Sequence, residues 1–199
     1  MPSHAKSYIN VLCTAARTLV SWAVNRPKMA GAAVLMTAML IAGGGAQAAS
    51  AYTNPFAGDT VLVGRIDMGV DLCLAPGDPI RAIGAGVVVG HLSNWYAGQP
   101  YLWYRLSYGP DAGRYVYIAE QINHLAPVGT HFLRGAVLAR FASHGSCIET
   151  GWSTAGGWTL AQRTSGYKEG QVTPAGVSFA RFLTWLGVRR LGVSASKRG

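Results

Sequence analysis

From residue 61 to residue 152 the chain consists of short runs of β-branched and aromatic residues, each soon stopped by Gly, Pro, Asn or Asp. Runs this short and this regularly interrupted leave no room for helices and suit an antiparallel sheet. Residues 61–89 read as strand, turn, strand, turn, strand. Residues 101–106 and 114–119 flank Tyr108-Gly109-Pro110-Asp111-Ala112-Gly113, where Gly and Pro supply turn geometry, so a hairpin is expected. A second short pair is expected from residues 126–131 and 136–141 around Arg134-Gly135, before Ile148-Glu149-Thr150 closes the series. Helix signals are almost absent until Thr173-Pro174, a cap followed by a first-turn proline. Phe179, Phe182, Leu183 and Leu186 then recur at helical spacing, and Gly187 is placed to end the helix. The fold class expected is mostly β, an antiparallel sheet with one C-terminal helix and no internal repeat.

With 199 residues, half of them hydrophobic, the chain has material for one ordinary core. The first 48 residues read as separate from it. Lys6, Arg17, Arg26 and Lys28 precede an uncharged stretch over 29–42, followed by three glycines and Ala46-Gln47-Ala48, the pattern of a secretory signal peptide cleaved after Ala48. An uncleaved anchor would need about 20 apolar residues, and Gly43 to Gly45 with Gln47 argue against one. The division expected is a signal peptide over 1–48, an entry linker over 49–60, a β domain over 61–155, an extension with a helix over 156–188 and a basic tail over 189–199. The product is expected to be secreted, extracellular or cell-wall associated, with no stable membrane span once the leader is cleaved.

Loss of the leader removes four of 17 basic residues and none of the eight acids, leaving 13 against eight, a net charge of +5. These charges are thinly spread, which argues against a nucleic-acid reader and is compatible with an anionic envelope. The exported product keeps Cys73 and Cys147, and two thiols in an oxidising compartment suggest one bridge.

Several short motifs occur in a telling order. Arg65-Ile66-Asp67-Met68-Gly69-Val70-Asp71 is followed by Ala75-Pro76-Gly77-Asp78-Pro79-Ile80-Arg81-Ala82 and then Gly86-Val87-Val88. Downstream come Tyr117-Ile118-Ala119-Glu120, Val128-Gly129 through Arg134-Gly135-Ala136-Val137-Leu138, and Cys147-Ile148-Glu149. This resembles the lysostaphin-type (LytM-like) zinc endopeptidases, with their H-x-G-x-D, P-G-x-P-V-x-A, G-x-V, Y-A-H, V-G-x-x-V-x-x-G-x-x-I and H-L-H-F-E segments in that order. The resemblance covers roughly residues 61–152 and implies a LytM-like β domain acting on a cell-wall polymer, peptidoglycan or another wall glycan.

The departures bear on chemistry. On this resemblance Asp67 occupies the first zinc-ligand position, Asp71 matches the ligand carboxylate, Glu120 stands at the Y-A-H histidine, and Gly145 and Cys147 replace the H-x-H pair. Shifting the last strand by one residue puts His144 and Ser146 there instead and recovers a single imidazole. Zinc sites favour nitrogen and sulfur donors, whereas an all-oxygen set suits calcium, magnesium or manganese. No D-x-D-x-D-G loop supports calcium, and neither metal nor cofactor is expected. His91, His124 and His131 show no metal-ligand spacing. Serine nucleophile elbows, phosphate loops and dinucleotide fingerprints are missing from the chain.

Four of the eight acids outside the leader, Asp67, Asp71, Glu120 and Glu149, fall on or beside the inferred site. Asp67 and Asp71, four residues apart on an expected strand, should share a face. Crowded carboxylates repel, leaving a proton donor beside an ionised partner, which is what glycoside hydrolysis requires. These four are the candidate catalytic residues, with Tyr117 and Trp152 as candidate substrate-binding residues among the aromatics Trp95, Tyr96, Tyr101, Trp103 and Trp158. The competing reading is a non-catalytic LytM-like module whose acids pair with Arg65, Arg81, Arg105 or Arg114. The resemblance also places Cys73 beside Asp71 and Cys147 on the facing strand, so a disulfide is expected beside the carboxylates.

Overall fold

The computed structural model describes residues 51–142, 147–164 and 166–189. The leader, His144, Gly145, Ser146 and the tail beyond Arg189 lie outside the described residues. The strands are β1 (Leu62–Ile66), β2 (Val70–Cys73), β3 (Pro79–Arg81), β4 (Gly86–Trp95), β5 (Gln99–Leu106), β6 (Tyr115–Ala119), β7 (Ile122–Asn123), β8 (His131–Phe132), β9 (Val137–Phe141) and β10 (Ile148–Ser153). A 3-10 turn, Tyr96–Gly98, joins β4 to β5, and one helix, α1 (Pro174–Trp185), follows the sheet. Among the described residues the fold is mostly antiparallel β with one C-terminal helix.

A seven-stranded sheet runs in the order β1-β2-β10-β6-β5-β4-β8, and β3-β9-β7 form a smaller one. The expected hairpin is β5–β6, with Tyr104 opposite Val116. The expected second pair is different. His131–Phe132 pairs with β4, Val137–Phe141 pairs with β3 and β7, and residues 126–130 are not in a strand. Arg134-Gly135 thus joins two sheets, and Gly135 N–H donates to the Ala82 carbonyl.

Strand alternation divides the large sheet into two faces. Val70, Leu72, Leu102, Val116, Ile118 and Ile148 point to the main core, which Phe179 and Leu183 of α1 complete. The opposite face carries a second cluster built on Tyr101, Trp103, Tyr117 and Ala119, with Met68 from the β1–β2 turn and Trp95 from the end of β4. Residues 49–60 were expected to be a linker, yet Ala51, Tyr52 and Phe56 are buried. Tyr52 packs edge-on against Phe182 and bridges to Gly84, so this segment belongs to the core.

The helix also fixes the β1–β2 turn. Thr173 caps α1 through its hydroxyl, which accepts from Gly176 N–H and donates to the Asp67 carbonyl at 2.7 Å. A Cβ at Gly176 would lie 2.2 Å from that same carbonyl, so only glycine permits the approach.

Cys73 and Cys147 form a disulfide with Cα atoms 4.2 Å apart, closing 74 residues of sequence. The bridge extends the β2–β10 pairing by one step beyond Ile148 opposite Leu72. In the chain-entropy description a loop of this length is stabilised by about 4 kcal/mol. Replacing both cysteines with alanine is expected to lower the unfolding free energy by roughly that amount, read from urea denaturation of oxidised wild type and the double variant.

Candidate active site

The acids meet because three strands lie in register. Glu149 on β10 stands opposite Asp71 on β2 and, across its other edge, opposite Ala119 on β6. Directly opposed residues have Cβ atoms about 4.5–5.5 Å apart, so the Asp71 and Glu149 side chains leave the same face as neighbours. Glu120 follows Ala119 at the end of β6. It adopts φ +64°, and Gln121 after it φ +45°, a left-handed pair without glycine. Such backbone is strained and is held by its surroundings. Here Glu120 N–H donates to the Pro100 carbonyl and Gln121 N–H to Gln99 Oε1.

Asp67 reaches the cluster by a route other than the one expected. It lies in the turn between β1 and β2, not on a strand with Asp71. A strand through both would need Met68, Gly69 and Asp67 to stay extended, but Asp67 N–H instead bonds the Gly69 carbonyl and closes the chain on itself. The buried Asp67 carboxylate accepts from Met68 N–H at 2.6 Å. Its other oxygen is 2.9 Å from Arg65 Nε.

Arg65 is the cation of this cluster. Its Nε is also 3.5 Å from Asp71 Oδ2, and its Nη2 is 2.9 Å from Glu169 Oε1. Glu169 in turn accepts from Tyr167 Oη. Glu169 was not anticipated at the site, because it is 104 residues from Arg65 in sequence and sits in the extension, where no motif marks it. Of the other arginines, Arg114 pairs with Asp111 and lies over the Trp152 ring.

Glu149 is buried and accepts a hydrogen bond from the Tyr117 hydroxyl. Gly69 closes over both groups: a Cβ there would lie 2.3 Å from Tyr117 Oη and 2.9 Å from Glu149 Oε1. Glu120 is half-buried, and Trp95 Nε1 donates to its Oε1 at 3.3 Å. Tyr117 therefore contacts a candidate acid from within the sheet face. Trp152 does not reach the acids. Three residues after Glu149, it points to the opposite face and packs between Phe179 and Phe182, its indole N–H donating to Ser178 Oγ.

Burial and mutual repulsion keep protons on this cluster. Asp71 is pushed up to about 6, chiefly by burial, with Asp67 and Glu120 adding repulsion and Arg65 opposing it. Burial holds Glu149 well above the ordinary carboxylate range, against the pull of the Tyr117 hydrogen bond. Glu120 is raised for the same main reason, with the Trp95 indole opposing. The Tyr117 phenol is likewise well above its usual value, through burial and the adjoining Glu149.

These residues do not suit zinc. Cys147 has spent its sulfur on the disulfide, His91 bonds the Ala126 carbonyl away from the cluster, and the Arg65 guanidinium already fills the space between Asp67 and Asp71 with positive charge. Among the described residues no group of three or more His, Cys, Asp or Glu side chains is arranged to hold a metal ion.

No protein-family model matches the chain, and no curated protein matches it. Among solved structures it is similar to a putative M23 peptidase from Pseudomonas aeruginosa at 19% identity and a TM-score of 0.41, over 53% of this chain and 45% of that one. It is also similar to the antimicrobial peptidase lysostaphin from Staphylococcus simulans at 15% identity and a TM-score of 0.48, over 71% and 56%. A solution structure of lysostaphin gives 14% identity and a TM-score of 0.48, over 76% and 62%. The chain thus spans about half the length of the first two. Among the described residues no helix is long and apolar enough to cross a membrane.

The raised Asp71 has a consequence for stability. Its folded value of about 6 lies above the ordinary 3.8, so the folded state binds more protons than the unfolded state between these pH values. Stability contributed by this group is complete below about pH 4 and is lost as pH rises through 6, by at most about 3 kcal/mol. Asp71→Asn is therefore expected to be more stable relative to wild type at pH 7.5 than at pH 4, measured by urea denaturation at both.

Proposed function

We propose that this chain is a cell-envelope glycan hydrolase that works through carboxylates without a metal. The observation that carries the reading is Asp71, a carboxyl pushed up to about 6, its side chain 23% exposed, in one cluster with the half-buried Glu120. A reachable acid that keeps its proton up to about pH 6, beside a second reachable carboxylate, is the equipment for cleaving a glycosidic bond. In this reading Asp71 delivers its proton to the departing glycosidic oxygen as the bond to the anomeric carbon breaks. Glu120, as nucleophile or as base toward water, supplies the electron pair, and one water is consumed. Glu149 and Tyr117 lie beneath, buried, as positioning residues for Asp71. The leader-like segment and the order of the motifs support the envelope as the place of action.

A second reading, a non-catalytic module that binds wall polymer or a partner, draws on Arg65. A guanidinium held by Asp67, Asp71 and Glu169 is also how a fold retires a set of acids into a structural network.

Incubation of purified protein with cell-wall material, with and without chelator, separates these readings. New reducing ends that persist in chelator are expected. Retention on the wall with neither reducing ends nor amines released means a binding module, and chelator-sensitive amine release means a metallopeptidase. Given glycan cleavage, Asp71→Asn and Glu120→Gln are each expected to lower kcat by about 10² or more, and wild-type activity should fall on the alkaline side as Asp71 loses its proton.

A further inference from the structure

A groove of about 450 Å³ opens beside the cluster, lined by Asn94, Trp95, Tyr96, Gly157, Trp158 and Gln162 among others. We propose that it is a binding subsite for an uncharged pyranose ring of the N-acetylhexosamine kind, an inference that rests on the glycan reading above. Trp158 is 58% exposed and Tyr96 54% exposed. Large rings left this open lose water contacts only when something flat covers them.

The backbone that carries each ring is held in place. Trp158 sits on a short loop in which Thr154 N–H donates to the Trp158 carbonyl, Gly157 N–H to the Thr154 carbonyl, and Trp158 N–H to Thr154 Oγ1. Trp103 anchors that loop, donating its indole N–H to the Ala155 carbonyl at 3.2 Å. Gly157, at φ +80°, lets the loop lie against the Trp103 ring, which a Cβ would meet at 3.0 Å. On the other wall Tyr96 occupies the 3-10 turn in which Ala97 is held at φ 55°. A backbone fixed before binding spares the ligand the entropy of ordering these two segments.

The rest of the lining is Leu92, the amides of Asn94 and Gln162, and glycine backbone, with no charged side chain. Such a lining suits a neutral polyol with acetamido groups better than a charged peptide. Position agrees with this, because Trp95 forms part of the groove and donates to Glu120 on its other side. Trp95 is thus shared between the groove and Glu120.

The test is titration of the purified protein with oligomers of N-acetylglucosamine, followed by tryptophan fluorescence and calorimetry, beside a peptidoglycan stem peptide. Saturable oligomer binding is expected, weakened at least tenfold in Trp158→Ala and Tyr96→Ala, largely kept in Trp158→Phe, and kept in Glu120→Gln. Circular dichroism and thermal unfolding should be unchanged in the Trp158 variants, since that ring is exposed. No oligomer binding by wild type, equal binding by the alanine variants, or binding of the stem peptide in the oligomer's place overturns the subsite. Oligomer that binds in this pattern without being cleaved overturns the hydrolase reading and leaves the subsite standing. Cleavage with an unchanged KM in Trp158→Ala does the reverse.

Discussion

The site depends on the pairing of β10 with β2 on one edge and β6 on the other. That double register alone puts Asp71, Glu149 and Ala119 in one row across three strands, and a slip of one residue would turn Glu149 into the apolar core. Two features hold the register. The Cys73–Cys147 bridge ties β2 to β10 on the side where Asp71 and Glu149 project, and Ile148, Thr150 and Trp152 are buried on the side facing α1. The polar row is therefore kept in place by apolar packing beneath it and a covalent tie beside it.

Buried like charges would normally push such a row apart. Arg65 relieves part of this, but desolvation of ion pairs costs nearly what their attraction returns, and one guanidinium faces Asp67, Asp71 and Glu169 together. The remaining relief comes from protons, since Asp71, Glu120 and Glu149 are all raised, mainly by burial. Tyr117 opposes part of this, since its buried hydroxyl donates to Glu149 and favours the ionised carboxylate, but burial outweighs that pull. Partial neutrality relieves the repulsion, and it leaves Asp71 exchanging its proton near pH 6.

How much of this was legible in the sequence varied with the range of the interaction. Period-two alternation and Gly/Pro punctuation reported the strands and the β5–β6 hairpin, because those signals are local. The motif resemblance, rather than alternation, set Glu149 and Cys147 on the strand facing Asp71 and Cys73, which the register bears out. Asp67 was misplaced on a strand because its turn is set by α1, whose Thr173 grips the Asp67 carbonyl from 106 residues away. Residues 126–131 and 136–141 alternate as a hairpin would, but their partners are β4, β3 and β7. Trp152 was assigned to the site by its nearness to Glu149, whereas an odd spacing of three puts it on the other face. Glu169 carried no signal, since only the folded extension returns it to Arg65.

The two faces of the sheet have thus been given different work. The α1 face has a continuous apolar core in which Trp152 stacks on Phe182 and meets Phe179 edge-on. The opposite face uses aromatic rings, Tyr101 stacked on Tyr117 and tilted against Trp95, as a dry floor around carboxylates. Aromatics suit that place because they exclude water while still offering an O–H or N–H, and Tyr117 and Trp95 both direct that polar end at an acid. An aliphatic floor would bury the same area and leave the buried Glu149 without its donor, at a cost of about 1–3 kcal/mol. The choice of rings over branched chains on this face follows from the acids it has to hold.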